Sequence, residues 1–205
     1  MSNTKTKAVT LAITGASGAQ YGLRLLECLL AADYSVNVMI SKAAQIVIAT
    51  ETDIKLPAQK ADRRAFFAKR YHAKEEQINI YGLDQWLAPV ASGSSLAPTM
   101  VVCPCSTGSL AAIAQGHSNN LIERAADVTL KEGKKLILVP RETPYSTIHL
   151  ENMLKLSQMG VTILPASPGF YHQPENIQHM IDFIVGRILD QLGIDQKIAP
   201  RWGES

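Results

Sequence analysis

Five short segments carry side chains suited to chemistry. The first, Thr14-Gly15-Ala16-Ser17-Gly18-Ala19-Gln20-Tyr21-Gly22, follows the apolar run Ala8-Val9-Thr10-Leu11-Ala12-Ile13. It precedes Leu23, Leu25, Leu26, Leu29 and Leu30, which recur at helical spacing. A strand, a glycine-rich turn and a helix predict a phosphate cradle. The glycines let backbone approach the anion, and the first N–H groups of the helix point at it. The spacing Gly15-x-x-Gly18-x-x-x-Gly22 departs from the dinucleotide pattern G-x-G-x-x-G. The next apolar run, 35–40, ends in Ser41 and Lys42, with no carboxylate for an adenosine ribose. The expected ligand is a phosphorylated small molecule other than a dinucleotide.

The other segments are Ser41 itself, Pro104-Cys105-Ser106-Thr107-Gly108-Ser109, Arg141-Glu142-Thr143-Pro144, and Pro165-Ala166-Ser167-Pro168-Gly169-Phe170-Tyr171. Small hydroxyl residues and glycines recur in them, as a pocket for a phosphate and a polar ring requires. Cys103 and Cys105 form a C-x-C pair without a companion Cys or nearby His, which is poor zinc spacing. His72, His117, His149, His172 and His179 are scattered. No metal site is expected.

Apolar periodicity says which elements hold these segments. Strands are predicted at 8–14, 34–40, 99–103, 135–140 and 161–164. Helices are predicted at 18–32, 41–50, from 106 onward, and at 121–132, 147–158 and 174–193. The last carries Ile177, Ile181, Ile184, Ile188 and Leu192 as one stripe. Residues 51–98 are less regular, with a charged helical stretch at 60–69 and the short run Ile78-Asn79-Ile80-Tyr81. Alternating strands and helices imply an α/β fold, a doubly wound parallel sheet with helices on both faces. In such sheets ligands bind beyond the carboxyl ends of the strands, where all five segments fall.

The chain has 205 residues, 46% hydrophobic and 19% charged, with a net charge of +2. That predicts one globular domain over 1–205 with a tail from about 194, and gives no sign of a nucleic-acid surface. No apolar stretch is long enough to span a membrane. There is no signal-peptide pattern and no disulfide framework, so a cytoplasmic protein is expected.

Taken together, Thr14-Gly15-Ala16-Ser17-Gly18, Cys105-Ser106-Thr107-Gly108-Ser109-Leu110-Ala111, Asn119-Asn120-Leu121-Ile122-Glu123-Arg124-Ala125-Ala126-Asp127-Val128, Leu136-Ile137-Leu138-Val139-Pro140-Arg141-Glu142-Thr143-Pro144 and the 165–171 segment resemble the signature blocks of the UbiX/Pad1 flavin prenyltransferases. The blocks cover most of the chain, and 52–98 adds little. The resemblance implies a flavodoxin-like (Rossmann-type) fold that binds FMN. It implies metal-independent transfer of a dimethylallyl group from dimethylallyl phosphate to N5 and C6 of reduced FMN. The product, prenylated FMN, serves a UbiD-type decarboxylase. It further implies a homododecamer with the site between subunits.

By the same resemblance, Gly15, Ala16, Ser17, Ser41, Ser106, Thr107, Gly108, Ser109 and Arg141 contact FMN. Arg124, Lys131, Tyr171 and Arg187 bind the dimethylallyl phosphate. Ser17, Glu51 and Glu142 are the candidate proton carriers, and Trp86 and Trp202 are the aromatic walls beside an allylic cation. The residues alone leave other readings open. Lys131 could pair with Asp127, and Glu142 could simply pair with Arg141. Arg187 could sit on a solvated helix face, and Trp86 could belong to the core. Two other proteins fit a flavin pocket: an FMN-dependent cysteine-type decarboxylase, whose Pro-x-Met-Asn block is missing here, and a non-catalytic FMN-binding protein.

Overall fold

The computed structural model describes residues 7–200. The elements, in chain order, are β1 (Ala8–Ile13), α1 (Ala19–Ala31), β2 (Ser35–Ile40), α2 (Lys42–Glu51), α3 (Lys60–Arg70), β3 (Ile78–Tyr81), β4 (Thr99–Cys105), α4 (Thr107–Ala114), α5 (Leu121–Lys131), β5 (Lys135–Pro140), α6 (Thr147–Gln158), β6 (Thr162–Ile163) and α7 (Ile177–Leu192). The strands form one parallel sheet in the order β3-β2-β1-β4-β5-β6. The sequence predicts five strands; the structure adds β3 at the edge, in register with β2 from Val36↔Ile78 to Met39↔Tyr81. Four residues flanked by irregular chain carry too little pattern to be read as a strand. Without β3 the order reduces to the flavodoxin-like 2-1-3-4-5; with it the order is that of the Rossmann sheet. In both descriptions the order reverses beside β1.

Successive strand residues face opposite sides, and each side has its own core. Leu11, Ile13, Val36, Val38 and Val101 pack with α1, α2, α3 and α7. Ala12, Met39, Met100, Val102 and Leu138 pack with α4, α5 and α6. The register of β4 shifts between Val102 and Cys105. Cys103 follows Val101 into the first core, and the shift carries Cys105 into the second.

Two glycines allow close approaches, of α1 to the sheet and of the first loop to α2. A side chain on Gly22 would overlap the carbonyl oxygen of Cys103, and one on Gly15 would overlap Ala43 at the start of α2. The last helix begins later than expected. Its Ile181, Ile184 and Ile188 are buried, but Ile177 is 76% exposed. An ion pair between Arg24 Nε and Asp182 Oδ1, 2.7 Å long, fastens α7 to α1.

Candidate functional site

The site is organised where the strand order reverses, between β1 and β4. Thr14 ties the two strand ends together. Its hydroxyl donates to the Pro104 carbonyl at 2.8 Å and accepts from the Ser106 N–H at 2.8 Å. The loops at 14–18 and 106–109 are therefore held side by side as the two walls of one crevice.

Those loops offer different things to an anion. Gly18 adopts a left-handed φ of 100°, which suits glycine alone among ordinary residues, and caps α1. The N–H groups of Gly18 and Ala19 both donate to Glu51 Oε2, at 2.8 and 3.2 Å. The chain's own carboxylate thus fills the helix start that the sequence marks as a phosphate cradle. At α4, Ser106 caps the helix by accepting from the Ser109 N–H at 3.2 Å. The Thr107 and Gly108 amides, by helix geometry, have no intrahelical acceptor. A side chain on Gly108 would meet nothing within 4 Å, so this end is open. Of the two helix starts, α4 is the one available to a phosphate. Ser41 has a structural task too: it caps α2 by accepting from the Ala44 N–H at 3.0 Å.

Arg141, just beyond β5, reaches across the crevice and donates to the Ser17 carbonyl at 3.0 Å. Glu142 does not pair with it; Glu142 Oε1 accepts from the Thr143 N–H at 3.1 Å. The Glu142 carboxylate is therefore not neutralised by Arg141. Tyr145 sits close by. Partial burial, and after it the Glu142 charge, raise its hydroxyl pKa above the usual range. The sequence reading missed Tyr145, which lies in an unremarkable loop.

A cavity of about 520 Å³ opens at the ends of β2 and β3, lined by Ile40, Tyr81 and the half-exposed Trp86 among others. Trp86 therefore belongs to a cavity wall and not to the core. Lys42, Lys60 and Arg63 make that wall basic. Gln45 holds Arg63 at 2.9 Å, and Gln85 holds Lys60 at 3.0 Å. The charged helical stretch expected at 60–69 is α3, Lys60–Arg70. The fold brings Lys60 and Arg63 to the same cavity as Ile40 and Lys42 at the end of β2.

One chain does not gather the four residues expected to hold a dimethylallyl phosphate. Arg124 and Lys131 ride on α5, in the layer with α4 and α6. Arg187 rides on α7, across the sheet, and lines a second cavity of about 880 Å³ with Tyr171 and Phe183. Each cation also has a local partner. Arg124 pairs with Asp127 at 3.0 Å, Arg187 with Asp190 at 3.1 Å, and Lys131 with Glu132, not with Asp127. The hydrogen bond and charge of Lys131 lower the Glu132 pKa. Trp202 lies outside the described residues.

Among the described residues, no three His, Cys, Asp or Glu side chains cluster as metal ligands. No helix there is long and apolar enough to cross a membrane. Burial pushes the Cys105 thiol up to about 12 and Cys103 higher still, so neither is a ready nucleophile.

A doubly wound sheet with an open helix start at its switch point defines a nucleotide- or flavin-binding α/β protein. The chain belongs to the Flavoprotein family, whose model matches residues 1–189. More narrowly, it falls among the UbiX-type flavin prenyltransferases. It is 60% identical over 196 residues to the flavin prenyltransferase UbiX of Pseudomonas aeruginosa, covering 96% of this chain and 94% of that one. It is 44% identical to the UbiX of Methanocaldococcus jannaschii, covering 95% of this chain and 98% of that one. Among solved structures, AnUbiX (PadA1) in complex with FMN and dimethylallyl pyrophosphate aligns with a TM-score of 0.85 at 38% identity, covering 96% of this chain and 97% of that one. A dodecameric FMN-dependent UbiX-like decarboxylase from Escherichia coli O157:H7 aligns with a TM-score of 0.83 at 40% identity, covering 95% and 98%. A PPC decarboxylase mutant at 18% identity and the FMN-binding protein AtHal3 at 16% share the fold alone.

Proposed function

We propose that this protein is a flavin prenyltransferase that moves a dimethylallyl group from dimethylallyl phosphate to N5 and C6 of reduced FMN. The product would serve a UbiD-type decarboxylase. The observation that carries this reading is an open helix start at 106–109, tied through Thr14 to the end of β1, in a chain 60% identical to a flavin prenyltransferase.

The residues present fit FMN. The Thr107 and Gly108 amides and the Ser106 and Ser109 hydroxyls suit its phosphate. Gly15, Ala16, Ser17 and Ser41, at the ends of β1 and β2, would contact the same FMN. Reduced FMN supplies the nucleophilic ring atoms when bound. The chain's residues do the remaining work. Arg124, Lys131, Tyr171 and Arg187 hold the phosphate and offset its charge as the C–O bond breaks. Trp86 offers a π face to the allylic cation. Glu142, free of Arg141, takes the proton from C6. Ser17 is exposed, its backbone carbonyl is held by Arg141, and its hydroxyl is left to relay a proton near N5 and the phosphate. Glu51 holds the α1 start and thereby the shape of the 14–18 loop.

Because the sheet separates Arg124 and Lys131 from Tyr171 and Arg187, a complete phosphate subsite requires more than one subunit. A homododecamer supplies such junctions. The whole chain of 205 residues acts as one flavoprotein unit in this reading. Three free cysteines, two of them buried, and a reduced flavin suit the cytoplasm. The test is anaerobic incubation with reduced FMN and dimethylallyl phosphate, followed by mass spectrometry of the released flavin. The expected product is heavier by one prenyl unit; an unchanged flavin overturns the reading.

A further inference from the structure

The cavity at the ends of β2 and β3 holds charge that the chain does not neutralise. Its lining includes Lys42, Lys60 and Arg63. Among the described residues none of the three forms an ion pair, whereas Arg124, Lys131 and Arg187 each have a carboxylate partner. Lys60 and Arg63 are held instead by the neutral side-chain amides of Gln85 and Gln45, at 3.0 and 2.9 Å. An amide oxygen orients a cation without cancelling its charge. Asp84 is the one carboxylate of this lining, and it too forms no ion pair among the described residues. With three cations against one carboxylate, the cavity is net positive.

The rest of the lining suits a flat ring. Trp86 and Tyr81 are aromatic, and Ile40 and Ile80 are apolar. Burial raises the Tyr81 hydroxyl pKa, which keeps it a hydrogen-bond donor. A volume of about 520 Å³ lies within the range of small-molecule sites. The place of the cavity in the sheet identifies the ring. From the end of β4, which carries the open α4 start, the sheet order runs through β1 to β2 and β3. Paired strands lie about 4.8 Å apart, so this path covers roughly 10–15 Å. A five-carbon ribityl chain with a tricyclic ring beyond it is of that length. Ile40 and Lys42, on either side of Ser41, both line the cavity. An FMN with its phosphate at α4, lying across the strand ends, therefore brings its ring to these cations. Two-electron reduction of FMN with uptake of one proton leaves a negative charge on the pyrimidine edge of the ring, which oxidised FMN lacks. Charge placed near that edge tunes the cofactor.

We propose that Lys42, Lys60 and Arg63 form a subsite for the anionic, reduced form of FMN, so that the protein holds the reduced flavin more tightly than the oxidised one. This rests on the flavin prenyltransferase reading above. The test is made anaerobically at pH 8 on the full-length, assembled protein. It measures the dissociation constants of oxidised and of dithionite-reduced FMN and the midpoint potential of the bound flavin. K60Q/R63Q removes two charges and keeps hydrogen-bonding side chains. Reduced FMN should bind it about 10-fold more weakly, and oxidised FMN within about 2-fold of the wild type. A tenfold change in that ratio lowers the midpoint potential of a two-electron couple by about 30 mV. Equal weakening of both forms, or no change in either, leaves the potential where it was and overturns the proposal. If K60Q/R63Q does not fold, K42Q is compared with K42R. A lowered potential in K42Q that K42R restores supports the proposal, and equal potentials in K42Q, K42R and the wild type overturn it. A wild type that binds FMN but leaves it unprenylated overturns the reading beneath alone, since the potentials are measured without dimethylallyl phosphate. A wild type that binds no FMN overturns both.

Discussion

Glu142 and Glu51 are both carboxylates at the mouth of the crevice, but their surroundings separate them. Glu51 accepts two amide hydrogens from the start of α1. Replacing it with Ala leaves those donors without their acceptor, and by analogy with lost helix caps should cost about 0.5–2 kcal/mol of stability. Urea denaturation measures this. Glu142 holds only its neighbour's N–H, so Glu142→Gln should leave the fold and FMN binding intact. It should slow turnover about 100- to 10,000-fold, the usual worth of general acid–base help. Anaerobic stopped-flow absorbance of the flavin would show the delay; normal turnover would return the proton to Ser17 or Glu51. The cysteines give a further expectation at this scale. Burial pushes Cys28 to about 11, Cys105 to about 12 and Cys103 higher. A raised thiol pKa means little thiolate at pH 8, so an aromatic disulfide reagent should label the native protein slowly and the unfolded protein quickly.

At the scale of elements, glycines at two helix starts have opposite meanings. Gly22 lets α1 lie against the backbone of β4, where a side chain would overlap the Cys103 carbonyl. Gly22→Ala should therefore destabilise the fold, by about 1–3 kcal/mol as overpacking usually does. Gly108 has open space beside it. Gly108→Ala should leave the unfolding midpoint near the wild-type value or slightly higher, since alanine favours the helix. It should nevertheless weaken FMN binding, because the added methyl enters the cradle. Fluorescence titration with FMN, run beside thermal unfolding, separates the two effects. If Gly108→Ala bound FMN as tightly as the wild type, the phosphate would not sit at α4.

The whole molecule decides whether the prenyl-donor site can be built. Lys131 and Arg187 stand on opposite sides of the sheet. Lys131→Ala and Arg187→Ala should each weaken dimethylallyl phosphate binding while FMN stays bound. If each active site takes these two residues from different subunits, mixed oligomers of the two variants will contain some sites with both residues intact. Co-expression of the two variants should then restore activity that neither shows alone. Mixed oligomers as inactive as their parents would place both residues in one subunit's site. Turnover should also survive EDTA, since the proposed phosphate ligands are cations and hydroxyls of the chain; activity lost with EDTA and regained with Mg²⁺ would count against that arrangement.

Much of this architecture was legible in the residues themselves. Apolar runs such as 8–13 and 135–140 and the leucine spacing after Gly22 specify strands and helices through local periodicity. The glycine and hydroxyl segments then fall at strand ends because a parallel α/β chain places its loops there. Local pattern could not show β3, whose four residues acquire meaning only by pairing with β2. Nor could it show that Glu51 reaches 33 residues back to Gly18, which makes α4 and not α1 the open helix start. The separation of Lys131 from Arg187 was equally hidden. Each of these depends on which distant segments meet across the sheet. Such contacts are set by packing among elements far apart in the chain, so only the tertiary structure decided them.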